Sequence, residues 1–146
     1  MRILFVCSGN TCRSPMAKVI MERKLKEIGM LDKFEIDSAG FSVLTLNMAS
    51  KDAREVIKIK YGEDLLASHR PKRIIPSLVK WADIILTMAT GLKERLPQGK
   101  VFTLKEFAGS SGDIPDPFGQ GQTAYLIAAD EISEAIAKII TKLLNQ

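Results

Sequence analysis

Cysteine is scarce in this chain: Cys7 and Cys12 are the only two in 146 residues. Two cysteines five apart cannot build a disulfide framework, and their scarcity fits a reduced, cytoplasmic protein. Histidine occurs once, as His69. Cys7, Cys12 and His69 fall short of a four-ligand set at a recognised spacing, so neither a metal nor a cofactor is expected. No apolar run is long enough to span a membrane, and Met1-Arg2 leads into an apolar segment without a signal-peptide pattern. No internal repeat, low-complexity tract or linker interrupts the chain, so residues 1–146 are expected to form one domain. A strong excess of one charge is also lacking, since 21 Lys and Arg against 17 Asp and Glu leave a formal +4. The densest basic stretch, His69-Arg70-Pro71-Lys72-Arg73, has no aromatic or groove-reading companion. It therefore reads as a solvated loop rather than a nucleic-acid surface.

What is present is concentrated near the start. Cys7-Ser8-Gly9-Asn10-Thr11-Cys12-Arg13-Ser14 follows the apolar run Ile3-Leu4-Phe5-Val6 and precedes Pro15. The run has the pattern of a strand buried on both faces. Pro15 suits the first turn of a helix, where a missing N–H costs nothing. After it, Ala17, Ile20, Met21, Leu25 and Ile28 fall on one helical face, and Gly29 ends the segment. Residues 8–14 are thus a loop between strand end and helix start. Unpaired backbone N–H groups there, reinforced by the helix dipole, make a nest for an anion. Gly9 lets the backbone come close or adopt a positive φ. Arg13 adds a fork of donors matched to phosphate oxygens.

Cys7 sits at the floor of that cradle. Helix N-termini and nearby cations lower a cysteine pKa from about 8.5 to about 3.5–7.5. Ser14 can donate a further hydrogen bond to the sulfur. The expected species is a thiolate aimed at a bound phosphorus, the arrangement for covalent phosphoryl transfer. A lone cysteine after a strand is commonly a small buried hydrophobe. Here the Gly, Asn, Arg, Ser and Pro around it favour chemistry.

The remaining pattern alternates. Strands are expected at 34–37, 82–88 and 101–104, with helices at 49–60, 90–96 (stopped by Pro97) and 125–144. Such alternation specifies an α/β fold with a parallel sheet covered on both faces, and ligands bind at the carboxyl ends of its strands. Covalent phosphoryl transfer also needs a group that protonates the leaving atom and then activates water. Gly112-Asp113-Ile114-Pro115-Asp116-Pro117-Phe118-Gly119 is a stiff loop after the last strand, on the expected rim. Asp116 is the candidate acid and Asp113 the alternative. Both could instead simply cap turns.

The Cys7–Ser14 loop with Pro15-Met16-Ala17, together with Asp116-Pro117-Phe118, resembles the low-molecular-weight protein tyrosine phosphatase family. The resemblance extends through Asp37-Ser38-Ala39-Gly40, Ser68-His69-Arg70 and Ala82-Asp83, nearly the whole chain. It implies a flavodoxin-like, three-layer sandwich with four parallel strands in the order 2-1-3-4. It implies Cys7 as nucleophile, Arg13 as phosphate clamp, Ser14 as stabiliser of the thiolate and Asp116 as acid then base. Ser8, Gly9, Asn10, Thr11, Cys12, Ser14 and Phe118 would make up the phosphate and substrate site. Asn10 would hold the loop's shape, with His69 as its hydrogen-bond partner.

Members acting on phosphotyrosine usually carry Ile where this chain has Thr11, and Tyr or Trp where it has Phe118. Val101-Phe102-Thr103-Leu104-Lys105-Glu106-Phe107 and the Asp-Pro-Phe-Gly loop also resemble the bacterial protein arginine phosphatase branch. A threonine hydroxyl can accept an N–H of a phosphoarginine guanidinium; an isoleucine methyl leaves that donor unpaired. The expected partners are phosphorylated proteins, with phosphoarginine as substrate and phosphotyrosine as the alternative. In related enzymes a Cys7–Cys12 type of pairing closes reversibly and protects the nucleophile; Cys12 could equally be a packing residue. Arsenate reductases share this scaffold but use further downstream cysteines, and this chain has none after Cys12. A non-catalytic phosphate-binding module is the competitor from another class.

Overall fold

β1 (Arg2–Cys7) runs through the centre of the molecule, and its side chains show why. Ile3, Phe5 and Cys7 enter one apolar cluster, while Leu4 and Val6 enter another on the opposite face. A strand with alternate residues in two cores is a central strand of a sheet covered on both sides. The computed structural model describes residues 1–45 and 47–146. Four strands pair in parallel in the order β2-β1-β3-β4, with β2 at Glu35–Gly40, β3 at Ile84–Thr87 and β4 at Val101–Thr103.

The larger core lies under α1 (Arg13–Glu27), α2 (Lys51–Tyr61) and the long C-terminal helix α6 (Gln122–Leu144). From α6 it takes Tyr125, Ala128, Ala129, Ile132, Ile136 and Ile139, a helical stripe of buried side chains. The smaller core is closed by α3 (Pro76–Trp81), whose Leu78, Val79 and Trp81 pack on Leu4, Val6 and Ile85. The result is the expected three-layer α/β sandwich. The short helices α4 (Thr90–Lys93) and α5 (Leu104–Phe107) follow β3 and β4 at the carboxyl rim. Among the described residues no helix is long and apolar enough to cross a membrane.

Several expected boundaries shift for local reasons. α3 carries no sequence pattern beyond Pro76 at its start, because six residues with no buried side chain show too little periodicity. β3 is shorter than 82–88, since Ala82 caps α3 and the Asp83 carboxylate accepts the backbone N–H of Arg2 at 2.8 Å. Ile28 is not on the buried face of α1; it is 52 % exposed at the helix end. There Gly29 takes φ +71° and Met30 N–H returns to Leu25 O at 2.9 Å, a glycine-based stop. α6 begins at Gln122, three residues earlier than its apolar stripe indicates.

Candidate active site

The loop that leaves β1 is shaped by Asn10 rather than by Gly9. Asn10 has φ +54° and is the one non-glycine residue described with a positive φ, a conformation asparagine tolerates better than most. Gly9 has no such angle, and a Cβ there would meet nothing nearer than Thr11 Oγ1 at 3.5 Å. Asn10 is fully buried, and its polar groups anchor the loop in several directions. Its Nδ2 donates to Ser14 Oγ (2.8 Å) and Ser38 Oγ (3.0 Å), and its Oδ1 accepts from Lys72 N–H at 3.0 Å. Its carbonyl accepts from His69 Nε2 at 2.8 Å.

Ser14 Oγ accepts from Asn10 Nδ2 and lies 2.9 Å from Cys7 Sγ, so its O–H is placed to donate to that sulfur when it is a thiolate. The N–H of Asn10 reaches the same sulfur at 3.3 Å. Cys7 itself is 2 % exposed at the end of β1. α1 begins at Arg13 with no side-chain cap and no acidic residue in its first turn, so its N–H groups stay open to an anion.

Arg13 is held as firmly. Its guanidinium is buried, and Nη1 donates to the carbonyl of Ile114 at 2.8 Å, tying the phosphate loop to the Asp-Pro loop. Nη2 lies 3.7 Å from Asp116 Oδ2. Asp116 is exposed, and its Oδ1 accepts Phe118 N–H at 3.1 Å, an Asx turn that fixes the carboxylate before Pro117. Cys7, Ser8, Gly9, Thr11, Cys12, Arg13, Asp116 and Phe118 all line one cleft of about 340 Å³, with Ser42, Leu44 and Thr45 completing the rim. Asp113 is not on its wall. Asp113 Oδ1 accepts the N–H and the hydroxyl of Thr90, each at 2.9 Å, and so anchors the start of α4. Of the two candidate acids, geometry leaves Asp116 at the cleft.

Other contributors carry weaker sequence signals. Gly40 ends β2 opposite Cys7, and a Cβ there would lie 2.6 Å from Ser8 O and 2.9 Å from Asn10 N. Both are backbone atoms, so Gly40→Ala must push the cradle out of shape. We expect it to destabilise the fold by about 1–3 kcal/mol and to lower phosphate affinity, measured by thermal unfolding with and without phosphate. Ser50 and Tyr125 touch Cys12: the phenol oxygen is 3.1 Å from Sγ, and the thiol donates to Ser50 Oγ at 3.4 Å. Burial, reinforced by Cys12, pushes the Tyr125 phenol well above its ordinary pKa, so it stays protonated. Both cysteines are free.

His69 titrates below its ordinary value of 6.5, first because burial disfavours the imidazolium and then because Lys18 and Lys72 repel it; the Asn10 carbonyl opposes this. The unfolded chain therefore takes up this proton at a higher pH than the folded protein does. Stability supplied by the neutral ring is complete above pH 6.5 and is lost as pH falls from there toward the lower folded value. Chemical denaturation across that window should show the decline, and His69→Gln should flatten it.

The match to known proteins covers the same elements. The family model described as low molecular weight phosphotyrosine protein phosphatase matches residues 2–146. A curated relative from Geobacillus stearothermophilus, named protein-arginine-phosphatase, is 42 % identical, with 97 % of this chain and 95 % of that protein covered. The crystal structure of a low molecular weight protein tyrosine phosphatase from T. tengcongensis superposes with a TM-score of 0.90 at 42 % identity, covering 97 % of this chain and 99 % of that one. The YwlE arginine phosphatase, in a cysteine-to-serine mutant with a phosphorylated active-site serine, superposes with a TM-score of 0.90 at 32 % identity. That match covers 99 % of this chain and 96 % of the other. A cysteine and an arginine placed around one anion cradle, on a 2-1-3-4 parallel sheet, agree with what the whole-length match states: the chain belongs to the low molecular weight phosphotyrosine protein phosphatase family.

Proposed function

We propose that this protein is a cysteine-dependent phosphatase that hydrolyses phosphoarginine in proteins. The observation that carries the chemistry is the convergence of Cys7, Arg13 and Asp116 on one cleft. In the first step the anionic Cys7 sulfur attacks phosphorus, an S–P bond forms and the P–N bond breaks. Asp116 gives its proton to the departing guanidine nitrogen. Arg13 and the loop N–H groups hold the equatorial phosphoryl oxygens, where charge accumulates. In the second step the Asp116 carboxylate takes a proton from water, the water oxygen attacks phosphorus, and the S–P bond breaks to release phosphate and regenerate Cys7. Ser14 O–H and Asn10 N–H support the sulfur whenever it carries charge.

Thr11 on the cleft wall supports phosphoarginine as substrate, as do the relatives named arginine phosphatases. Its hydroxyl offers an acceptor to a planar, donor-rich guanidinium. Phosphotyrosine is the second reading, favoured by the apolar walls that Leu44 and Phe118 give the cleft. The test compares kcat/KM on phosphoarginine and phosphotyrosine peptides for the wild type and Thr11→Ile. The wild type should prefer phosphoarginine, and Thr11→Ile should lose roughly 10-fold or more of that preference. A wild type that prefers phosphotyrosine would overturn the substrate assignment and leave the phosphatase. A protein that binds phosphate but does not turn over a chromogenic aryl phosphate or either peptide would be a binding module instead. The proposed setting is the cytoplasm, with phosphorylated proteins as the partners.

A further inference from the structure

Thr11 can select a donor-rich substrate only if its lone pairs, and not its proton, face the cleft. A threonine hydroxyl rotates freely, so something must decide. The structure holds a candidate in the neighbouring cysteine. Thr11 Oγ1 lies 3.6 Å from Cys12 Sγ, and either atom could donate in that pair. Cys12 is 5 % exposed and has one proton, which goes to Ser50 Oγ at 3.4 Å. With its proton committed, Cys12 can only accept from Thr11 and from the Tyr125 phenol at 3.1 Å. The phenol stays protonated, so it remains a donor into the sulfur. Ser50 is itself fixed: its Oγ accepts the N–H of Ala53 at 3.3 Å as the cap of α2, and its own N–H donates to the Thr11 carbonyl at 2.9 Å.

We propose that Cys12 and Ser50 set the hydrogen-bond polarity of Thr11, committing its proton to the Cys12 sulfur and leaving its lone pairs for a substrate in the cleft. The rim then accepts from a substrate and offers it no proton. A guanidinium, which brings N–H groups and no acceptor, fits such a rim; a substrate that needs a donor there does not. Cys12 and Ser50 are positioning residues, acting on substrate through Thr11. This inference rests on phosphoarginine being the substrate, and it assigns Cys12 a role whether or not its thiol ever pairs with Cys7.

Two substitutions release the polarity in different ways. Cys12→Ala removes the sulfur acceptor. Ser50→Ala keeps the sulfur but frees its proton to donate toward Thr11, which releases the threonine proton from the sulfur. In both, the ratio of kcat/KM on phosphoarginine to kcat/KM on phosphotyrosine should fall roughly 5- to 50-fold, the effect of facing a buried donor with a donor. The fall should come from the phosphoarginine arm. Cys12→Ser and Ser50→Thr, which keep one donor and an acceptor at each place, should restore most of the ratio. Thermal unfolding of each variant confirms that it is folded, and Ser50→Ala leaves the buried Cys12 in place should Cys12→Ala not fold. A ratio unchanged in Ser50→Ala, or an equal loss on both substrates without rescue by Ser50→Thr, would overturn the inference while phosphoarginine stays the substrate. A wild type that prefers phosphotyrosine would overturn both.

Discussion

Cys7→Ser should end multiple turnover, with kcat falling by roughly 10⁵-fold or more, while phosphate still binds. The cradle's main anchors bypass the sulfur. Asn10 is held by Ser14, Ser38, His69 and Lys72, and Arg13 by Ile114, and none of these bonds involves Cys7. A serine hydroxyl is far less ionised than a thiol at neutral pH. The same donors that support a charged sulfur must then assist a poor nucleophile. Any phosphoryl group that does transfer would be trapped, because an alkoxide leaves phosphorus less readily than a thiolate. A related arginine phosphatase structure, a cysteine-to-serine mutant, carries a phosphorylated active-site serine. The measurement pairs steady-state turnover with phosphate binding by calorimetry and intact mass for a phosphoserine. Turnover within tenfold of wild type would remove Cys7 from the reaction.

Asp116→Asn should lower kcat on phosphoarginine by about 10²–10⁴-fold, with a smaller loss on substrates whose leaving group needs no proton. The amide retains an oxygen for the Asx bond to Phe118 N–H, so the loop keeps its shape and the loss reports the missing proton. A guanidine nitrogen cannot depart as an anion, so removal of the acid strikes phosphoarginine hardest. A series of aryl phosphates with graded leaving groups measures this directly: the dependence of rate on leaving-group acidity should steepen in the variant. Asp113→Asn provides the comparison. It loosens the hold on Thr90 at the start of α4 and should cost far less activity. If Asp113→Asn proves the more damaging of the two, the acid has been misassigned.

The cradle was legible because its parts are contiguous. Cys7, Asn10 and Ser14 meet within eight residues, and strand-then-helix patterning dictates that they curl around one point. Strand and helix identities followed from the alternation of apolar segments, since a central parallel strand buries both of its faces. α3 escaped because it is too short to carry a period. Gly9 and Asn10 both permit unusual turns, and only the loop's anchors assign the positive φ to Asn10. The choice of Asp116 over Asp113 was also open, since two aspartates three apart in one loop look alike until Thr90 claims one of them.

By itself the sequence determined the β1–α1 turn, its anion-binding character and the parallel α/β class. Those depend on short-range hydrogen bonding and on side-chain periodicity. The tertiary structure alone decided which distant groups meet it: Ile114 on Arg13 across 101 positions and Tyr125 on Cys12 across 113. Such contacts arise from the order in which the strands assemble and from where their crossover helices return the chain. No local preference encodes that geometry, because the free energy that selects it comes from burying both faces of the sheet at once.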